Sequence, residues 1–369
     1  GYYRYDHNTS WQEEVFHNAW MQNAYLSVKG GDAIARYGLS VGFLNQNGII
    51  KNTGYNRFNT RFVGTFNIFS WLRMYVSTNL MSANSDYKES ALVEETSPVL
   101  SALRKSPQLN PFAYDSEGRQ LEKIDDIEEL GVSNPKAVVD NFNASNSNYR
   151  FLTSFRMEGD ISKKIKMNIL LGLNINDLKE RIFMPNLGME YYFDNEAYNV
   201  SQSLNELLFT MYNDNSISYT KLLNNLHHLM FTGGFRWQTN DYQEDWGISM
   251  NSNENDQYTN IGSGDNLLNN IAGDNSRWNW LSNYYTASYA YRDKYILDAA
   301  LSADFSSRVG SQATDVIRIN SLPFGLFYNL GLAWRISGER FMSGLSSIED
   351  LKLRIQYGTV GNVDSGNHN

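Results

Sequence analysis

The chain has 369 residues, a net charge of −9 and no cysteine. The absence of cysteine excludes disulfides and thiol chemistry, and an acidic balance without a run of Lys or Arg argues against a nucleic-acid-binding surface. Aromatic residues make up 14% of the chain and proline occurs only 6 times, a composition that favours many β-strands.

Apolar and polar residues alternate with a period of two along most of the chain, which is typical of strands with two different faces. The pattern is clear in 33–44, 55–69, 71–80, 149–160, 165–176, 226–238, 294–310, 323–336 and 351–357, and weaker in 21–29, 242–250 and 281–291. These segments predict about twelve strands.

Short and long connections alternate between the predicted strands. Tight turns are expected at 70–71, 160–164, 239–242 and 292–294, and long polar loops at 45–54, 82–148, 176–224, 251–280 and 306–322. Outer-membrane β-barrels have this arrangement, with short periplasmic turns and longer extracellular loops. No run of 18 apolar residues occurs, so no transmembrane helix is expected.

The two faces of one long strand indicate what each side contacts. In 294–310, Leu297 and Leu301 lie on one face, whereas Asp298 and Asp304 lie on the other. Buried unpaired charges are costly, and an Arg or Lys facing lipid costs about 2–4 kcal/mol at the midplane. We therefore expect the apolar face to contact lipid and the charged face to line a wet interior. The alternative is an ordinary antiparallel sheet with one face on a core and one in solvent.

Two stretches inside the predicted loops have the spacing of short helices. Asn134 followed by Pro135 is a typical helix start within 116–140. Residues 201–214 carry apolar residues at helical spacing, which predicts either a short helix or an amphipathic loop segment that packs against the barrel mouth.

Several motifs, taken together and in this order, resemble the SusC/RagA family of TonB-linked outer-membrane proteins. They are NTSWQEEVF (8–16), QNAYLSVKGG (22–31), RYGLSVGFLNQNGIIKNTGYNRFNTRF (36–62), YILDAALSADFSSRVG (295–310), GLAWRISGERF (331–341) and LKLRIQYGTVGN (351–362). The resemblance implies an all-β fold, a transmembrane antiparallel barrel of about 22 strands with a plugged lumen. It also implies that residues 1–369 are the central portion of the barrel, with the plug and further strands outside this segment.

The resemblance further implies TonB-dependent import of an oligomeric nutrient across the outer membrane. The implied partners are a SusD-like surface lipoprotein, the TonB complex and outer-membrane lipid. A glycan is the first expectation for the substrate and a peptide the second. Two alternatives stay open: an outer-membrane anchor or assembly component that binds a surface lipoprotein without transport, and a soluble extracellular β-protein.

Aromatic residues in the predicted loops are the candidate ligand-binding residues, because aromatic faces stack on sugar rings and on peptide side chains. They are Phe112, Tyr114, Tyr191, Tyr192, Trp278 and Trp280. Packing within the loops, or against the lipoprotein, is the competing explanation for all six.

No catalytic pair, metal site or cofactor site is expected. Asp298 and Asp304 are six residues apart on one strand, about 20 Å, too far for the paired carboxylates of a glycosidase. The Asn/Asp-rich run 252–276 lacks EF-hand spacing, so a solvated loop is the preferred interpretation over a calcium site. An enzymatic function is therefore not predicted.

Overall fold

The computed structural model describes residues 5–89, 97–125, 131–189, 198–252, 261–309, 317–319, 322–344 and 347–361. This part of the chain consists mainly of antiparallel β-strands, with three short α-helices and two 3-10 turns. None of the helices in these ranges is both long and apolar enough to span a membrane.

The strands vary widely in length. In chain order they are β1 (Met21–Gly31), β2 (Ala35–Asn47), β3 (Gly54–Phe69), β4 (Leu72–Tyr87), β5 (Phe112–Tyr114), β6 (Gln120–Ile124), β7 (Asn143–Asp160), β8 (Ile165–Met184), β9 (Val200–Leu223), β10 (His227–Ser249), β11 (Asn270–Tyr291), β12 (Tyr295–Ser306), β13 (Ile317–Ile319), β14 (Leu322–Arg335) and β15 (Lys352–Gly358). The helices are α1 (Trp11–Val15), α2 (Pro98–Arg104) and α3 (Pro135–Asn141), and the 3-10 turns are Ile336–Gly338 and Arg340–Met342.

One antiparallel sheet contains 13 of the described strands. Strands β1 to β4 and β7 to β12 pair in chain order, β4 pairs with β7, and β14 pairs with β12, β13 and β15. Strands β5 and β6 form a separate hairpin. Apart from β13, which has only 3 residues, the sheet has about the predicted number of twelve strands, although β9 was not predicted and β10 was predicted as two strands.

From β1 to β14, tight turns join the strands at one end of the sheet and longer connections join them at the other. The connection between β14 and β15, residues 336–351, is the exception, because it is long and lies at the tight-turn end. Two turns are of type I′, because both central residues have positive φ: Asn224 and Asn225 (51° and 54°), and Arg292 and Asp293 (55° and 54°). Each is closed by a 3.0 Å hydrogen bond, from Leu226 N to the Leu223 carbonyl and from Lys294 N to the Tyr291 carbonyl. The predicted alternation of short and long connections is therefore present from β1 to β14.

Several predicted boundaries differ from the structure. The loops predicted at 82–148, 176–224 and 251–280 are shorter, because β4, β7, β8, β9 and β11 extend into them. The connection predicted at 306–322 agrees with the end of β12 at Ser306 and the start of β14 at Leu322, and it contains the short strand β13. The helix or loop segment predicted at 201–214 and the turn predicted at 239–242 were wrong, since these residues lie inside β9 and β10. At these ends both faces of the sheet are polar or mixed, so the period-two contrast fades although the backbone stays paired.

The sheet keeps apolar and polar residues on separate faces. Leu297 and Leu301 are exposed on one face of β12, together with Leu330 and Leu332 of β14. On the other face Asp298 accepts a 2.7 Å hydrogen bond from Ser288 Oγ. These residues therefore do not lie in a buried protein centre, in agreement with a lipid-facing apolar face.

The buried hydrophobic residues lie mainly at the long-loop end of the sheet. Here α1, α2, α3 and the β5–β6 hairpin form a compact unit, which we call the loop cap. One small core joins its three helices and consists of Trp11, Val15, Ala102, Leu109 and Val139. Helix α3 begins as predicted, with Pro135 in its first turn and Asn134 Oδ1 accepting a 3.1 Å hydrogen bond from Lys136 N.

Candidate functional site

The polar face of the sheet is the face on which a water-soluble ligand can bind. Its charged residues lie on consecutive strands and cannot face hydrocarbon without a large penalty. Arg236 of β10 shows the arrangement. Its Nε donates to Asp214 Oδ2 at 2.9 Å, and its guanidinium lies 4.0 Å from the ring centroid of Tyr284. We refer to this face as the interior wall.

The loop cap packs against the interior wall. A second core joins Val138 and Phe142 of the cap to strand residues Ala144, Ile182, Met184, Val200 and Ile248. The strand register places Ile182 and Ile248 opposite Gln202, on the same face as Asp214 and Arg236. The cap therefore covers the extracellular end of the interior wall formed by β7 to β10.

Two tryptophans of β11 lie on the interior wall below the level of the cap. Trp278 is opposite Asn240 of β10, and Trp280 is opposite Gln238. Both indole rings are half-buried, and the Arg308 guanidinium lies 4.3 Å from the ring centroid of Trp278. Aromatic faces next to amide groups can stack on an apolar ring face and bond its polar rim.

Asn240 is the centre of the polar groups beside these tryptophans. Its side-chain oxygen accepts hydrogen bonds from Thr210 Oγ1 at 2.8 Å and from Gln238 Nε2 at 3.2 Å. The residue is only 6% exposed, and its Nδ2 has no partner among the described residues. The network fixes the orientation of the amides that border the indole rings.

Carboxylates cross the wall between the tryptophans and the cap. Glu244 of β10 is directly opposite Glu206 of β9 and Asp274 of β11. Tyr242 Oη donates a 2.5 Å hydrogen bond to Glu244 Oε2. In the described ranges no Lys, Arg or His forms an ion pair with these three acids, and no group of three or more acidic or histidine residues is arranged to hold a metal ion.

Like charges directly opposite each other destabilise an antiparallel pair. The row of Glu206, Glu244 and Asp274 therefore offers acceptor oxygens without a cationic partner from its own wall. Together with the indole rings and amides it forms a surface suited to a ligand rich in hydrogen-bond donors. We call this surface the interior site; it is formed by Gln238, Asn240, Tyr242, Glu244, Glu206, Asp274, Trp278 and Trp280.

An ion-pair cluster holds the loop cap together outside the membrane-spanning strands. Lys136 Nζ of α3 lies 2.9 Å from Asp140 Oδ2 and 3.7 Å from Glu14 Oε2 of α1. Burial opposes the charge on Lys136, but the bonds to Asp140 and Glu14 outweigh it and raise the pKa of Lys136 above its usual value. The cluster links α1 to α3 and so fixes the cap in one arrangement.

The structure separates the six candidate aromatic residues into three groups. Trp278 and Trp280 lie on strand β11 and not in a loop, and both belong to the interior wall. Tyr191 and Tyr192 lie outside the described residues. The remaining two, Phe112 and Tyr114, belong to the β5–β6 hairpin of the cap.

Both aromatic residues of β5 are engaged within the cap. Tyr114 Oη hydrogen-bonds with His7 Nε2 at 3.0 Å, and the two rings stack with centroids 5.5 Å apart. Lys136 Nζ lies 5.6 Å from the centroid of Phe112. Their contacts match the competing explanation, in which such residues pack the loops.

Sequence reasoning did not identify Gln238, Asn240, Glu206 or Glu244. The signal that could have found them is the parity of β9 and β10, because each shares a face with Arg236 or Asp214. The predicted loop at 176–224 and the predicted turn at 239–242 hid that parity.

The chain is similar to TonB-dependent receptors. TonB-dependent receptor P39 of Formosa agariphila is 26% identical over 350 residues, which are 92% of this chain and 30% of that protein. TonB-dependent receptor SusC of Bacteroides thetaiotaomicron is 22% identical over 388 residues, covering 97% of this chain and 35% of that protein. The chain thus spans about a third of the length of the curated relatives it matches. No family model matches it.

Solved structures share the same fold. The RagAB peptide transporter matches with a TM-score of 0.76 and 19% identity, over 98% of this chain and 39% of that one. The open form of the ferric-catecholate import receptor Fiu of E. coli K12 matches with a TM-score of 0.53 and 10% identity, over 92% and 52%. The predicted transmembrane β-barrel fold, the resemblance and the outer-membrane location are confirmed, and the relatives are receptors and not enzymes.

Proposed function

We propose, with the confirmed resemblance to the SusC/RagA family as the premise, that this chain forms part of a TonB-dependent importer of oligomeric nutrients. In this proposal the interior site binds the substrate after it enters from outside. The loop cap then restricts access to that site, because it packs on the same wall.

The observation that carries the proposal is the composition of the interior site. Trp278 and Trp280 offer stacking surfaces, Gln238 and Asn240 offer amides, and Glu244 offers a carboxylate, all on one face of two paired strands. Together these groups suit a ligand that alternates apolar ring faces with polar rims. The strands hold them in fixed register, so binding does not have to order a flexible loop.

A glycan fits this set of groups better than a peptide does, and we propose it as the substrate class. Sugar hydroxyls donate hydrogen bonds, and the row of Glu206, Glu244 and Asp274 supplies acceptors. Sugar rings present flat apolar faces to indole rings. A peptide is the alternative, because one structure with the same fold is described as a peptide transporter.

We further propose two protein partners. A SusD-like surface lipoprotein would bind at the long-loop end of the barrel, above the loop cap. The TonB complex would supply energy from the opposite side of the membrane. Both partners are proposed from the family resemblance.

The test is uptake by the full-length protein in its native outer membrane. Cells that carry Trp278→Leu and Trp280→Leu together should take up labelled glycan oligomers more slowly by a factor between about 5 and 150, because stacking is worth roughly 0.5–1.5 kcal/mol for each ring. Trp237→Leu is the matched control, since Trp237 lies on the apolar face of β10 opposite Asn213 and Leu281. That variant should transport normally.

Two results would overturn parts of this proposal. Unchanged growth of a gene-deletion strain on every glycan and peptide oligomer tested would remove the import function. If the double tryptophan variant lost uptake of peptides alone and took up glycans normally, the substrate would be a peptide, and the interior site would still be its binding site.

A further inference from the structure

Three asparagines lie on the apolar face of the sheet, where lipid contact is expected. Asn213 of β9 is opposite Leu171 and Trp237, and Asn215 is opposite Ile169 and Phe235. Asn283 of β11 is opposite Phe235 and Ala303. Because these strands are paired on both sides, the three amides are not exposed by an open sheet edge.

The amides differ in how far their hydrogen-bonding groups are satisfied. Asn213 Nδ2 donates to the Leu170 carbonyl at 3.0 Å, and Asn215 Nδ2 donates to Asn213 Oδ1 at 2.5 Å. No side-chain hydrogen bond joins Asn283 to any other described residue. An amide without a partner is costly in hydrocarbon, so Asn283 requires a ligand that both donates and accepts.

A groove in the apolar face passes directly beside Asn283. Its volume is about 400 Å³, and Gly233 forms part of its floor because that position has no side chain. Its walls are formed by Ile169, Asn215, Ile217, Phe235, Asn283 and Tyr285. The groove therefore combines apolar walls with two amide groups.

A second groove continues the first toward the tight-turn end of the sheet. Its volume is about 380 Å³, and it shares Ile217, Gly233 and Tyr285 with the first groove. Small residues, Ala287 and Ala299, line its further part. Together the two grooves form one furrow along β9 to β12.

The position of Asn283 indicates which leaflet the furrow reaches. Asn283 is eight residues from Tyr291, the end of β11 at the tight turn. With the usual strand rise and tilt this places the amide about 20 Å above the turn, in an apolar band about 25 Å tall. The amides therefore lie in the outer leaflet and the furrow descends from them.

We propose that this furrow binds an outer-leaflet lipid with a hydroxylated acyl chain. The chain lies in the furrow over Gly233, and its hydroxyl group bonds to Asn283. A hydroxyl both donates and accepts a hydrogen bond, which matches a primary amide. A plain acyl chain would fill the groove but leave Asn283 without a partner. The proposal rests on the orientation of the apolar face and is independent of nutrient import.

The experiment uses the full-length protein purified from its outer membrane in mild detergent. Native mass spectrometry measures its binding of added 3-hydroxytetradecanoic acid and of tetradecanoic acid. The wild type should bind the hydroxylated probe about fivefold more tightly, the effect of one additional hydrogen bond. Asn283→Leu should abolish that preference, and Gly233→Leu should weaken both probes by filling the groove.

Thr78→Val is the matched control. Thr78 lies on the same apolar face but is already paired with Thr153 across β4 and β7 at 2.9 Å, so the preference should persist in this variant. Heat-modifiable migration in gels verifies that each barrel is folded. Equal binding of both probes by the wild type would overturn the proposal. A change from dimer to monomer in Asn283→Leu, without altered probe binding, would instead assign the furrow to a second copy of the chain.

Discussion

The strand region and the loop cap are stabilised in different ways. In the strands, apolar residues such as Leu301 and Leu332 are exposed, and order comes from the hydrogen-bond ladder and from the lipid around it. In the cap, Phe142 and Val138 are fully buried in a core like that of a soluble protein. The apolar residues of the strand region are thus in contact with lipid, whereas those of the cap are buried in a protein core.

This difference predicts that the two regions respond independently to mutation. Phe142→Ala should have the largest effect, a loss of about 3–5 kcal/mol in the stability of the cap, because it removes a fully buried ring. Hydrogen exchange should show faster exchange in α3 and at the cap-facing ends of β7 and β8. If exchange throughout β11 and β12 became faster by the same factor as in the cap, the two regions would unfold together.

A charge on the lipid face should act on the strands alone. Leu301→Arg should cost about 2–4 kcal/mol in lipid vesicles, because Leu301 faces hydrocarbon. Ser302→Arg, one residue along β12 on the interior wall, should cost much less. Chemical unfolding followed by tryptophan fluorescence measures both. Equal losses would contradict the assignment of the two faces.

The start of α3 should matter for the cap but not for the barrel. Asn134→Ala should destabilise the cap by roughly 1–2 kcal/mol, since it removes the helix cap. It also removes bonds from Asn134 Nδ2 to the carbonyls of Pro111 and Asp125, at 2.9 and 3.1 Å. Limited proteolysis between α2 and α3 should accelerate. Asn134→Ser retains a capping oxygen, so its rate of proteolysis should lie between those of the wild type and Asn134→Ala.

The smallest expected effect is a pH dependence of the cap. The pKa of Lys136 is raised in the folded state, so the stabilisation is complete below the unfolded value of about 10.4 and is lost as pH rises through the folded value. Hydrogen exchange of the α1 amides, corrected for the intrinsic exchange rates, should show that the cap loses at most about 1 kcal/mol of stability over this pH range. Lys136→Met should remove this dependence while leaving other alkaline transitions unchanged.

The sequence predicted the regions where lipid contact imposes a strict alternation. In β12 the contrast between Leu297 and Asp298 correctly separated the two faces, because only apolar residues are favourable against hydrocarbon. In β9, by contrast, Asn213 and Asn215 lie on the apolar face and Leu204 and Leu208 on the interior wall. The alternation there is too weak to distinguish a strand from a helix.

The candidate site could be predicted only in part. The composition of 251–280 indicated Trp278 and Trp280, but their role depends on register, since Gln238 and Asn240 approach them from a strand about forty residues earlier. The cap was predictable at Asn134 and Pro135, where the signal is local. Its contact with Ile182 and Ile248 was not, because that contact joins distant segments.

The type I′ turns have a consequence for how the barrel is built. Asn224–Asn225 and Arg292–Asp293 set the alignment of their flanking strands within four residues. Closing such a short connection costs little chain entropy, so the two strands of each hairpin can pair, starting at the turn, before they pair with strands that are distant in the sequence. Assembly can therefore proceed as the stepwise addition of preformed strand pairs to a growing edge.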